Sequence, residues 1–299
     1  MKAGFVAVVG RPSAGKSTLV NQICGEKVSI VSKVPQTTRN AIRGIVNREQ
    51  GQLVFVDTPG RHSSGKKFNK KLMEVSQRAL DDSDMVLYLL DAARAPGEEE
   101  TELAKLLVPR AAKTVAALNK TDIPQADCAR ARDFLARHLP AVASDRCFEI
   151  SAKNNEGIEP LLAALFDMAA EGEAFYDSEY YTDQELDFRI AEIIREQAIN
   201  RLRDELPHAL YVQVADTEFR DAETSNARRR LWARAFIIVE RESQKGIVVG
   251  NGGEMIKAIR LASQKELNKI FDWKIELDLR VKTGKDWRSS DSVLRKITG

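Results

Sequence analysis

Residues Gly10 to Ser17, GRPSAGKS, match the pattern G-x-x-x-x-G-K-[ST] at Gly10, Gly15, Lys16 and Ser17, and no other stretch restricts the fold of this chain so tightly. An apolar run, Phe5 to Val9 (FVAVV), precedes the pattern, and LVNQI follows it with apolar residues at helical spacing. Strand, glycine-rich turn and helix in that order predict an α/β P-loop domain, with a mixed, mostly parallel sheet and helices on both faces. In such a loop the glycines let backbone N–H groups turn inward and approach phosphate oxygens. Gly10, Arg11, Pro12, Ser13, Ala14 and Gly15 therefore form the expected phosphate cradle, continued by Lys16, Ser17 and Thr18. Lys16 carries positive charge to the β and γ oxygens of a nucleoside triphosphate, and Ser17 offers a hydroxyl to Mg²⁺.

Three further motifs follow in an order that selects the base. Asp57, Thr58, Pro59 and Gly60 (DTPG) close the apolar run QLVFV, placing a carboxylate at the carboxyl end of a strand, where open α/β sheets bind ligands. Asp57 is the expected outer-sphere ligand of Mg²⁺, and Gly60 the expected backbone donor to the γ phosphate. Asn119, Lys120 and Asp122 (NKTD) close KTVAAL, and a carboxylate at Asp122 can accept both the N1 and N2 hydrogens of guanine, a pair that adenine does not offer. Ser151, Ala152 and Lys153 (SAK) close CFEI, with a backbone N–H for the guanine carbonyl. DTPG or SAK alone is a weak match; four motifs after four strands are together specific for GTP.

At 299 residues the chain is long enough for a second domain. Periodicity is lost between Glu171 and Gln184, in EGEAFYDSEYYTDQ, which gathers acids and tyrosines as a linker would. The division read from the sequence is a G domain over residues 1–172, a linker over 173–184 and a further domain over 185–299. In the last part LDFRIAEIIREQAINRL is helical, ALYVQVAD alternates as a strand, LWARAFIIVER reads as a second strand, a glycine-rich turn opens a long helix, and WKIELDLRVK is an alternating third strand. This order is that of an α+β type II KH domain, and Gly250, Asn251, Gly252 and Gly253 supply its G-x-x-G loop, which in such domains clamps about four nucleotides of single-stranded RNA. From Lys245 to Lys296 twelve basic residues stand against seven acidic ones, a net of +5 where the whole chain carries only +2, an excess that suits phosphate binding as well as a solvated basic face. Lys257 and Arg260, about one turn into the helix after the loop, are the basic residues placed nearest the RNA.

The stretches QTTR and DTPG in the first part and VERESQKGIVVGNGG in the second resemble the Era family of GTPases, and the likeness spans essentially the whole chain. It implies a protein that binds GTP and GDP with Mg²⁺, hydrolyses GTP slowly and recognises the 3′ end of small-subunit ribosomal RNA during assembly of the small ribosomal subunit. It also implies that the threonine before the arginine, Thr38, joins Mg²⁺ in the triphosphate state, with Thr37 as the alternative. Lys16, Thr38 and Gly60 are thus the residues expected to act on the γ phosphate. A monomer in the cytoplasm, with peripheral association at the inner face of the cell membrane, completes what the likeness implies. Three positions depart from the family. Ser13 replaces an asparagine linked to potassium coordination, which counts against potassium as a further cofactor. Arg61 and His62 follow DTPG where an apolar residue is usual, and Gly252 occupies a loop position that is often basic.

Composition agrees with these readings. Hydrophobic residues make up 43% and charged residues 30%, ordinary values for a soluble globular protein. Three cysteines without a C-x-x-C pair indicate neither a disulfide framework nor a zinc site, and no apolar run approaches the length of a membrane span. Two other functions remain open from the residues alone: a GTPase of another pathway, such as tRNA modification or membrane transport, with a protein-binding C-terminal domain, and an RNA-binding scaffold whose nucleotide only stabilises the fold.

Overall fold

The computed structural model describes residues 1–60, 67–142, 144–220 and 229–298. They form two compact units, the first built mainly from residues up to Asp183 and the second from Gln184 onward.

The first unit runs β1 (Lys2–Val9), α1 (Lys16–Cys24), β2 (Ile42–Arg48), β3 (Gly51–Asp57), α2 (Lys67–Asp81), β4 (Met85–Asp91), α3 (Glu98–Leu107), β5 (Thr114–Asn119), α4 (Cys128–His138), β6 (Cys147–Glu149), α5 (Ile158–Met168) and β7 (Ala170–Glu171). The sheet order is β2-β3-β1-β4-β5-β6, with β7 added antiparallel to β1. All pairings along that path are parallel except the β2–β3 hairpin. Every residue of β3, β4 and β5 is buried, as expected of strands covered on both faces. One core packs Leu19 and Ile23 of α1 and Leu161 and Leu165 of α5 against Val6, Val8 and Phe55. On the opposite face Leu103 and Leu107 of α3 and Phe134 of α4 cover Ala7, Val86 and Tyr88. Gly51 has a φ of 152°, and a Cβ there would overlap the Lys2 backbone, so β3 can lie against β1 at this point only with glycine.

The stretch read as a linker is strapped to this sheet. The Gln52 amide, fully buried, accepts from the N–H groups of Phe175 and Tyr176 (2.8 and 3.0 Å) and donates to the Tyr176 carbonyl (2.8 Å). Asn47 donates to the Ser178 carbonyl, the Ile45 N–H to that of Tyr181, and Thr182 to that of Arg43. The edge strand β2 thus spends the Ile45 N–H and the Arg43 carbonyl on this segment, a common way to protect an exposed sheet edge.

The second unit contains α6 (Leu186–Ile199), α7 (Leu206–Ala209), β8 (Leu210–Arg220), β9 (Arg230–Val239), α8 (Glu242–Val249), α9 (Glu254–Ile270), β10 (Lys274–Thr283) and α10 (Asp291–Thr298). Its sheet order is β10-β9-β8, with β9 antiparallel to β8 and parallel to β10 over ten consecutive pairs from Lys274–Arg230 to Thr283–Val239. Alternate residues Leu231, Ala233, Ala235 and Ile237 of β9 are buried beneath the helices, with Ile275, Leu277 and Leu279 of β10 beside them. The three strands read from the sequence are therefore present. The helix α8 ahead of the glycine loop is additional to that reading.

Candidate functional site

The sheet order brings the sequence motifs together. Phosphate loop, DTPG, NKTD and SAK follow β1, β3, β5 and β6, so all four lie along one edge of the sheet, at the carboxyl ends of its parallel strands. Gly15 takes a left-handed backbone (φ 101°), where a Cβ would collide with the Asn119 amide; Ser13 is also left-handed (φ 63°). At Gly10 a Cβ would come within 2.5 Å of the Leu89 carbonyl. These two glycines allow the loop to close on itself and on the base motif.

Lys16 is buried, and its ammonium donates to the carbonyls of Gly10 (2.9 Å) and Arg11 (3.1 Å), curled within the loop. Burial lowers its pKa to about 8, partly opposed by the negative charge of Asp57. A cation so poorly solvated gains much when anionic phosphate oxygens arrive. Thr58 donates to the Val8 carbonyl (2.8 Å), locking DTPG to β1. At Gly60 a Cβ would sit 3.0 to 3.1 Å from Pro12, which keeps the end of this motif against the phosphate loop.

Ser17, Thr38 and Asp57 converge. Ser17 Oγ lies 2.7 Å from Asp57 Oδ2 and 3.1 Å from Thr38 Oγ1, and Thr38 Oγ1 lies 3.4 Å from the same carboxylate oxygen. The Asp57 side chain is fully buried, its Oδ1 makes no hydrogen bond, and burial raises its pKa. A carboxylate with an unpartnered buried oxygen beside two hydroxyls is an all-oxygen donor set, the kind that suits a hard divalent cation such as Mg²⁺. Of the two threonines named from the sequence, Thr38 has its hydroxyl at this point.

On the base side Asn119 ties three segments together. Its amide donates to the Ala14 carbonyl of the phosphate loop (2.8 Å) and accepts from the Ala152 N–H of SAK (3.0 Å). Asp122 accepts from the Ser151 hydroxyl (2.8 Å) and has the Lys153 ammonium 3.7 Å away. Lys120 has a left-handed backbone (φ 71°), uncommon outside glycine and frequent where function fixes a residue's direction.

Arg11, placed in the phosphate cradle by the sequence, is turned away into the protein. Its guanidinium is buried, 3.4 Å from Asp91 and 2.9 Å from Glu100, the latter a charge contact without hydrogen-bond alignment. Asp91 also accepts from Lys120 (2.8 Å). Neither Asp91 nor Glu100 was singled out in the sequence, although Asp91 closes the apolar run MVLYLLD as Asp57 closes QLVFV. Arg61 and His62 lie outside the described residues.

In the second unit, Gly250 (φ 75°), Gly252 (φ 56°) and Gly253 (φ 83°) all have left-handed or related backbones between α8 and α9. A Cβ at Gly250 would come within 2.7 Å of Met255, whereas at Gly252 and Gly253 nothing lies within 4 Å. The loop is therefore open to solvent at its tip, with Asn251 exposed. Lys257 is exposed on α9; Arg260 is half-buried and donates to Gln264 (2.7 Å), which leaves part of its guanidinium free of that bond.

Comparison with known proteins agrees with both units. A family model described as 50S ribosome-binding GTPase matches residues 5–120, and a KH domain model matches residues 205–288. The chain is 51% identical to GTPase Era of Treponema denticola over 298 residues, 100% of each chain, and 44% identical to GTPase Era of Treponema pallidum over 314 aligned positions, 99% of this chain and 97% of that one. Two crystal structures superpose with a TM-score of 0.90 at 30% identity, covering 99% of this chain and 98% of theirs. One is an Era variant of Aquifex aeolicus bound to GDP·AlF4⁻; the other is Era in complex with MgGDPNP and nucleotides 1506–1542 of 16S ribosomal RNA. With its G domain, its KH domain and full-length identity of this order, the chain belongs to the Era family of GTPases.

Proposed function

We propose that this protein is a GTP-hydrolysing switch that binds the 3′ end region of small-subunit ribosomal RNA and assists assembly of the small ribosomal subunit. The observation that carries the reading is the convergence of Ser17, Thr38 and Asp57 in a chain that also presents an open G-x-x-G loop. Ser17, Thr38 and Asp57 would hold Mg²⁺, which when bound supplies positive charge to the phosphate oxygens. Phosphoryl transfer needs positioning and charge stabilisation more than covalent chemistry. Lys16 supplies a fixed cation to the β and γ oxygens, Gly60 a backbone donor to the γ phosphate, and Asp122 reads guanine. The hydroxyl of Thr38 already stands beside Ser17 and Asp57; in this reading it would be held there as a Mg²⁺ ligand in the triphosphate state and released with the γ phosphate, so its loop reports the state of the nucleotide.

In the second unit the backbone of Gly250, Asn251, Gly252 and Gly253 receives RNA phosphates and sugars, assisted by Lys257 and Arg260. The protein acts as a monomer in the cytoplasm, and contact with the inner face of the cell membrane is peripheral; among the described residues no helix is long and apolar enough to cross a membrane. A single-turnover assay with GTP and Mg²⁺ tests the chemistry. Slow release of phosphate, lost in Thr38→Ala while GDP affinity is retained, is the expected result. Absence of turnover in the parent would instead mark the nucleotide as a structural element of an RNA-binding scaffold.

A further inference from the structure

We propose that Asp91 is a positioning residue of the nucleotide site, a buried carboxylate that sets both Lys120 of the base motif and Arg11 of the phosphate loop. The inference rests on the reading of the site as one for a guanine nucleotide. Sheet order gives the reason for its place. The strand β4 lies between β1, which leads into the phosphate loop, and β5, which leads into NKTD, and Asp91 pairs across the sheet with Asn119. A side chain at the end of β4 can therefore reach both motifs.

The contacts are directional. Asp91 Oδ1 accepts from the Ala93 N–H (3.1 Å), which fixes the carboxylate plane. Oδ2 then faces Lys120 Nζ at 2.8 Å and Arg11 Nη2 at 3.4 Å. On its far side Arg11 meets Glu100, which in turn accepts from the Gly97 N–H (2.8 Å) and so begins α3. The side chains form a row of alternating sign, Glu100, Arg11, Asp91 and Lys120, with exposures of 5%, 8%, 2% and 27%. Two cations and two carboxylates balance in this row, as buried charges must.

A purely structural role for Asp91 is the competing account, and the distances weigh against it. Arg11 has a closer carboxylate in Glu100, whereas Lys120, the residue with a place in the base motif, has Asp91 at 2.8 Å. A lysine stem is flexible and loses rotamer freedom when a ligand fixes it. Anchored in advance by Asp91, Lys120 needs no further ordering when the nucleotide binds. Asparagine cannot substitute for Asp91. Its carbonyl can face either the Ala93 N–H or the two cations, and in both orientations its NH₂ group is left pointing at a donor.

The test is a double-mutant cycle on GDP affinity, with fluorescent GDP and Mg²⁺, using the parent, Asp91→Asn, Lys120→Gln and the double variant. Each single variant is expected to weaken GDP binding about tenfold, and the double variant to be no more than about threefold weaker than the worse single one. GTP and GDP should be affected alike, because Lys120 belongs to the base motif and Arg11 is turned away from the phosphate cradle, and Asp91→Glu should recover part of the loss. The unfolding midpoint of each nucleotide-free variant is followed in parallel. A structural Asp91 would lower that midpoint while leaving the two affinity losses multiplicative, and this result overturns the proposal, as does parent-like affinity in Asp91→Asn. Should Asp91→Asn fail to fold, the ¹⁵N resonance of the Lys120 ammonium in the nucleotide-free parent decides. Slowly exchanging protons support the anchor, and exchange as fast as that of surface lysines overturns it. A parent that binds no GDP overturns the guanine-nucleotide reading itself, whereas a parent that binds GDP with Asp91 indifferent overturns this proposal alone.

Discussion

Asp122, hydrogen-bonded to Ser151, carries the preference for guanine in this account. Asp122→Asn replaces an acceptor by a donor toward the guanine N1 and N2 hydrogens, and the mismatch should cost about 1 to 3 kcal/mol of GTP affinity while favouring xanthosine triphosphate. Competition binding with the two nucleotides measures the exchange; unchanged preference for GTP would remove NKTD from the site. Lys16 gives a second expectation, of opposite kind because it concerns the empty fold. Burial lowers its pKa to about 8, below that of an unfolded lysine, so between about pH 8 and pH 10 the unfolded chain binds more protons than the folded one. Stability of the nucleotide-free protein therefore gains from Lys16 as pH rises through this window, by an amount on the order of a few kcal/mol at its end. Below pH 8 the burial cost is present in full. Denaturant unfolding from pH 7 to pH 9.5 should show this rising contribution in the parent and lack it in Lys16→Met. A parallel pH profile in the two proteins contradicts the assignment. Residues such as Lys16, Asp57 and Asp122 were legible in the sequence because the chemistry at each position demands one residue type after a strand. Asp91 and the inward turn of Arg11 were not, because a buried ion pair between segments 80 residues apart has no local pattern.

At the scale of elements, the glycine loop between α8 and α9 is where a substitution separates RNA binding from folding. At Gly252 the backbone is left-handed, which aspartate tolerates better than most residues, and an added Cβ meets nothing within 4 Å. Asn251 is exposed. Changing both to aspartate should leave the fold and GTP binding intact and weaken single-stranded RNA binding at least tenfold, about 1.4 kcal/mol. Lys257→Ala should act more gently, lowering the magnitude of the salt slope by about 0.7 for one lost phosphate contact. RNA titrations at several salt concentrations check both, and parent-like binding in the double variant would assign the C-terminal unit to a protein partner. The loop itself was readable, but α8 was not. Its run GIVV, with Gly246 followed by β-branched residues, has strand rather than helix character. The start of α8 is instead secured by Gln244, whose side chain accepts from the N–H groups of Glu240 and Arg241 (both 3.0 Å). Hydrogen bonding and packing thus override local preference here. The strapping of residues 175–182 to β2 and β3 was hidden for a similar reason. Acids, tyrosines and a glycine read as a linker, yet the partner that orders them, Gln52, sits more than 120 residues away.

At the scale of the whole molecule, one chain carries the phosphate-loop site in its first unit and the G-x-x-G loop in its second. Order along the sequence made this division visible. The strand-end motifs lie along one edge of the first unit's sheet, and the three strands read in the second unit form one sheet, with β9 and β10 parallel over ten pairs. The central claim is that this chain recognises the 3′ end of small-subunit ribosomal RNA, and crosslinking mapped at nucleotide resolution on ribosomal RNA in cells tests it most directly. The account predicts crosslinks concentrated at that 3′ end and their loss when Asn251 and Gly252 are both changed to aspartate. Crosslinks confined to transfer RNA or to other ribosomal segments, or an unchanged map in the double variant, would contradict it.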